Sequence, residues 1–161
     1  MKRKISLYSV IVMMLLNSAL LFAQQPFESY KKSIGLSLKK SAGIQLEEYE
    51  IVHDEQVNAE VFIKEGRDIF KLYIRRASGR AHKFVFSVLV DNQNKIRDIQ
   101  ILEYPSDYGI GATNKKWLSK FNGKTPGALV YRKNVDAVSG STISATAIVD
   151  VINKLPLKLL N

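Results

Sequence analysis

The chain has 161 residues, 46% of them hydrophobic, and no cysteine. Such a length fits one domain with a modest core and a short extra segment, and the lack of cysteine excludes disulfides, iron–sulfur clusters, thiolate chemistry and covalent c-type haem. Of the formal net charge of +9, three positive charges (Lys2, Arg3 and Lys4) sit at the N-terminus and the rest are spread along the chain, a pattern that permits an anionic cofactor or acidic partner and does not point to nucleic acid.

Residues 1–23 carry the pattern of a secretory signal: a basic start, an apolar run from Leu7 to Phe22, and Ala23 as the cleavage residue. The run is interrupted by Ser9 and by Asn17-Ser18, which makes it marginal as a membrane span. The expectation is therefore an extracytoplasmic protein, periplasmic or secreted, with an uncleaved, membrane-tethered form as the alternative. Residues 24–74 are expected to be an N-terminal helix and strands packed on a domain formed by 75–161.

Phe27, Tyr30, Ile34, Leu38 and Ala42 follow helical steps, with Gly43 as the C-cap. Extended segments follow at Tyr49–Val52, Val57–Ile63 and Ile69–Ile74, with a turn at Gly66. Arg75, Arg76, Ser78, Gly79 and Arg80 read as a basic turn. The clearest hairpin is Lys83–Val90 and Ile96–Leu102 joined by Asp91-Asn-Gln-Asn94. Its second strand is expected to place Ile96, Asp98 and Gln100 on one side and Arg97, Ile99 and Ile101 on the other. Glu103–Ala112 is a loop by its Pro and Gly content. Its Gly109-x-Gly111 lacks the third glycine of a dinucleotide fingerprint, since position 114 is Asn. A short helix over 114–121 carries Trp117, Leu118 and Phe121 on one side. The fold class is α+β: a mostly antiparallel twisted sheet covered by the N-terminal helix and by a C-terminal helix.

That last helix is expected over Ser144–Leu155, with Ile148, Val151, Ile152 and Leu155 on one face. It is preceded by Asp136-Ala-Val-Ser139-Gly140-Ser141-Thr142. Hydroxyls before an apolar helix satisfy its first free N–H groups. Those N–H groups and the helix dipole also make a seat for a phosphate. Capped helix and phosphate seat are both open on these residues alone. His53 and His82 are far apart in sequence, which argues against a zinc site or a histidine triad. No His or Cys lies near the motif in sequence to serve as acid, base or nucleophile.

The order of pieces from Gly79 to Leu155 resembles the FMN-binding domain family. The hairpin, the Tyr-Gly loop, Trp117-Leu-Ser-Lys-Phe-Asn-Gly-Lys124 and Val135-Asp-Ala-Val-Ser-Gly-Ser-Thr-Ile-Ser144 carry that resemblance. Members include extracytoplasmic subunits of the sodium-pumping NADH:quinone reductase and of the Rnf complex. Their flavinylation motif reads Asp, a small residue, an aliphatic residue, Ser, Gly, Ala, Thr, and a flavin transferase joins the phosphate of FMN to the threonine. Position 141 is Ser instead of Ala, and Ser106-Asp-Tyr-Gly109 stands where many members have a Glu-Thr pair before the loop glycine.

The resemblance implies FMN as cofactor, bound covalently through Thr142. It places Ser139, Gly140, Ser141 and Ser144 at the phosphate, Asp136 in the turn or in recognition by the transferase, and Gly109 and Gly111 in the cofactor loop. Tyr104, Tyr108, Trp117 and Tyr131 are candidates to pack on the isoalloxazine ring. The implied function is extracytoplasmic electron transfer between a redox donor and a redox acceptor, membrane-bound ones included. The alternatives are a non-redox binding or structural module with unmodified Thr142, and a small flavin reductase.

Overall fold

The structure, a computed structural model, describes residues 27–157. The expected signal segment lies outside the described residues. Helix α1 covers 27–42 and ends at Gly43, whose φ of +68° is the left-handed conformation that a helix stop requires. A short 3-10 turn, Leu46–Glu48, leads into five strands. These are β1 Glu50–Asp54, β2 Ala59–Lys64, β3 Arg67–Ser78, β4 Lys83–Asp91 and β5 Ile96–Glu103. They form one antiparallel sheet in the order β1-β2-β3-β4-β5, so each strand pairs with its sequence neighbour. After β5 come a 3-10 turn Ile110–Thr113, helix α2 Lys115–Leu118, a 3-10 turn Ser119–Phe121 and helix α3 Thr142–Asn153. The α+β architecture is as expected from the sequence, with α1 on one face of the sheet and α2 and α3 on the other.

On one face α1 buries Phe27, Ile34 and Leu38 against Phe62, Leu72 and Leu89. On the other, Ile148, Val149 and Ile152 of α3 pack with Tyr73, Phe84, Phe86 and Val88, joined by Trp117, Leu118 and Phe121. Leu72 and Tyr73, adjacent in β3, go to opposite clusters, as the period of two in a strand demands. Covering both faces makes Phe84–Val90 continuously buried, which is why its sequence is an unbroken apolar run apart from Ser87. Each such side chain contributes about 1.5–3 kcal/mol by leaving water.

Two expectations are corrected. Arg75, Arg76 and Ser78 are not in a turn; β3 continues through them and pairs with β4 as far as Ser78↔Lys83. Strand geometry tolerates these residues because Arg75 spends its charge locally. Its guanidinium donates to the carbonyls of Val57 and Asn58 and lies 5.0 Å from the Tyr73 ring. The sides of β5 also differ from the simple alternation. Ile96 faces Val90 and Asp98 faces Leu89, so Arg97 is an extra residue at a bulge. The bulge returns Ile96 to the side of Ile99, and both join the α3 cluster.

No helix among the described residues is long and apolar enough to cross a membrane.

Candidate functional site

Helix α3 begins at Thr142, two residues earlier than the apolar period alone indicates. The turn before it is made by Ser139 and by Gly140, whose φ is +69°. Ser141 is the N-cap residue by position, yet its side chain makes no capping hydrogen bond. Its hydroxyl is buried and lies 3.5 Å from the Ser139 carbonyl, while its own carbonyl accepts the Ala145 N–H at 2.9 Å. The expected cap by Ser141 is therefore not made. The first N–H groups of α3 keep their donor capacity, and the positive end of the helix dipole is not covered by a side chain. Thr142 is exposed beside them and Ile143 is half exposed.

The base of this seat is built by the loop after β5. Without its glycines the loop could not lie where it does. A Cβ on Gly111 would sit 2.6 Å from Ser141 Oγ and 2.8 Å from Val138 Cγ1. One on Gly109 would sit 2.7 Å from Ser144 Oγ and 2.9 Å from the Tyr104 hydroxyl, and Gly109 has φ +75° besides. Both glycines thus let the loop press against the Ser139–Ser144 turn. Ser144 is buried in the first turn of α3, and its hydroxyl lies 2.9 Å from that of Tyr104. The Tyr104 hydroxyl donates to the Tyr108 carbonyl at 2.8 Å, so it accepts from Ser144. This relay ties β5, the loop and α3 together. Tyr104→Phe is expected to lower unfolding stability by about 1–2 kcal/mol, because it strips the buried Ser144 hydroxyl of its partner; urea denaturation reads the change.

Asp136 precedes the Ser139–Gly140 turn in the chain. It is exposed, and the Lys120 ammonium hydrogen-bonds its carboxylate and holds it below the usual carboxylate range. Its backbone carbonyl accepts the Trp117 indole N–H at 2.8 Å. The Val138 N–H donates to the Tyr131 hydroxyl at 3.0 Å. So 136–138 is pinned from two sides, and the turn leading to Thr142 is held by side chains of α2 and of the following loop.

The sequence-based candidates for ring packing separate. Trp117 is buried and packs edge-on to Phe121 at 5.0 Å, so it belongs to the core. Tyr131 is committed to the Val138 N–H. Tyr108 is 72% exposed, and Ile110 beyond it is 55% exposed.

One residue enters against expectation. His82, some sixty residues from the motif, is folded against it: its ring lies 4.7 Å from Tyr104, edge-on. A Cβ on Gly79 would be 2.8 Å from His82 Nε2 and 3.2 Å from Ser144 Oγ. Both ring nitrogens are buried without a hydrogen-bond partner. Nothing local in the sequence signals this, because the contact exists only once β4 and α3 share a face.

The arrangement offers a nucleophile-sized hydroxyl at an exposed position, a positive helix end beside it, and a loop kept close by two glycines. These are the features that a phosphate monoester with a bulky organic group would need. Residues 79–155 match the profile described as the FMN-binding domain. No curated protein matches the chain.

Proposed function

With residues 79–155 being a domain of the FMN-binding family and FMN its cofactor, we propose that the chain is a flavoprotein whose FMN is esterified through its phosphate to Thr142 and serves extracytoplasmic electron transfer. The observation that carries this reading is the pairing of an exposed Thr142 with a helix N-terminus that no side chain caps. A phosphodiester at that oxygen keeps one negative charge. The N–H groups of the first turn would face it, an interaction worth about 0.3–1 kcal/mol at an exposed helix end. Ser141 and Ser144 are too buried to compete for esterification, and Ser139 and Gly140 leave the backbone approachable for a flavin transferase.

Bound FMN supplies the redox chemistry, and the protein supplies position and electrostatics. The Asp136–Lys120 pair fixes the entry to the turn, and the Tyr104–Ser144 contact fixes the helix start. A redox donor and a redox acceptor, membrane-bound ones included, are the partners this reading calls for. The signal-like residues 1–23 support export, and a covalent tether keeps a flavin with a protein that works outside the cytoplasm.

The test is the intact mass of protein made alongside an extracytoplasmic flavin transferase. The expected result is a gain of one FMN less one water, with a band that fluoresces on a denaturing gel. A mass equal to that of the bare polypeptide would refute the covalent reading.

A further inference from the structure

Strand β5 is an edge of the sheet, and a slot of about 930 Å³ runs along that edge. One wall is α1, which presents Leu36 and Ser37; the other is the 110–122 segment, which presents Ile110 and Leu118. Leu36 is 65% exposed and Ile110 55% exposed, so each wall offers an uncovered apolar side chain to the space between them. Three side-chain ties hold α1 along the strand, one of them between Ser41 and Asp98. The Tyr30 hydroxyl donates to the Glu103 carboxylate, and Gln100 Nε2 donates to the Ser33 carbonyl at 3.4 Å. The Gln100–Ser33 tie leaves Gln100 Oε1 buried with no donor. Tyr104, whose hydroxyl meets Ser144 of the phosphate seat, lines the near end of the slot.

A slot of this form suits a flat, largely apolar ring with hydrogen-bonding groups on one edge. Tyr104 directly follows β5, and the step back to Gln100 is at most roughly 13 Å at ~3.3 Å per residue, a span that a ribityl chain and a tricyclic ring cover. We propose that the slot between α1 and the 110–122 segment seats the isoalloxazine ring, with Leu36 and Ile110 against its faces and the Gln100 carboxamide at its pyrimidine edge. The N3–H of the ring is a donor of the kind that Gln100 Oε1 lacks. This seat sets the ring along the β5 edge. It also makes α1, which lies outside residues 79–155, a wall of the cofactor site. The inference rests on the phosphate being held at Thr142, so its test separates ring from tether.

Lumiflavin, the ring without ribityl or phosphate, is titrated into the flavin-free full-length protein while its fluorescence is followed. Saturable quenching is expected with the wild type and, unchanged, with Thr142→Ala. Ser37→Trp, which fills the slot, and Gln100→Leu are each expected to weaken binding at least tenfold. Leu36→Asp, at an exposed helix position that does not carry the core, is expected to do the same, with circular dichroism confirming a folded protein. Absence of saturable binding by the wild type would overturn the proposal. So would equal binding by all three folded slot variants. Failure to find FMN in the intact mass bears on the tether alone and leaves the lumiflavin result to decide the slot.

Discussion

Thr142→Ala is expected to leave the protein at its bare polypeptide mass after production with a flavin transferase, a complete loss of the covalent cofactor. The neighbouring hydroxyls cannot substitute, since Ser141 and Ser144 are buried and Ser144 is engaged with Tyr104. Ser139 is the one other exposed hydroxyl in the turn. An FMN-sized gain that persists in Thr142→Ala and disappears in a Ser139→Ala double variant would move the attachment point and sink the assignment. Stability is a built-in control. Thr142 is exposed at the first position of α3, and surface changes of this type stay within about 0.5 kcal/mol. The variant should therefore unfold at nearly the wild-type urea midpoint.

Gly109→Val is expected to do the reverse, costing roughly 2–5 kcal/mol of stability and losing flavin as a consequence. Two penalties combine. A β-branched residue at φ +75° meets the left-handed penalty of about 1–2 kcal/mol. The new side chain also enters space held by Ser144 Oγ and the Tyr104 hydroxyl, 2.7 Å and 2.9 Å from the Cβ position, and overpacking costs about 1–3 kcal/mol. Gly123→Val isolates the first penalty, because Gly123 has φ +78° and nothing within 4 Å of its Cβ position. If both variants lower the urea midpoint equally, the close seating of the loop on α3 carries no energy.

Much of the architecture was legible because local signals agreed with the tertiary outcome. Gly43 and Gly66 mark turns with positive φ, and Asp91 folds the β4–β5 turn by accepting from the Gln93 and Lys95 N–H groups. The apolar steps Phe27–Leu38 and Ile148–Ile152 are the faces that α1 and α3 bury. The extent of β3 was not legible at Arg75, because its charge is satisfied by carbonyls of the β1–β2 connection, which no neighbour in sequence reveals. The bulge at Arg97 was hidden for a similar reason: register is set by both strands together. At the site, the contiguous Ser139–Ser144 turn was readable as a motif. The missing cap at Ser141, the withdrawal of Trp117 into the core and the arrival of His82 depend on contacts between residues about 20 or more apart, for which periodicity carries no information.

The pairing of β3 with β4 has a consequence for how such a domain can be cut and moved. The family signature starts at Gly79, directly after β3 ends. A fragment excised at that point would strip β4 of its partner from Lys83 to Asp91, leaving a raw strand edge at what had been the middle of the sheet. It would also uncover Leu89, which is buried in the cluster formed by the first helix with Phe62 and Leu72. Such a fragment is an aggregation hazard in place of a portable module. The family signature and the unit with an intact sheet therefore have different boundaries, and any graft of this domain onto another protein must carry the leading helix and the first three strands with it.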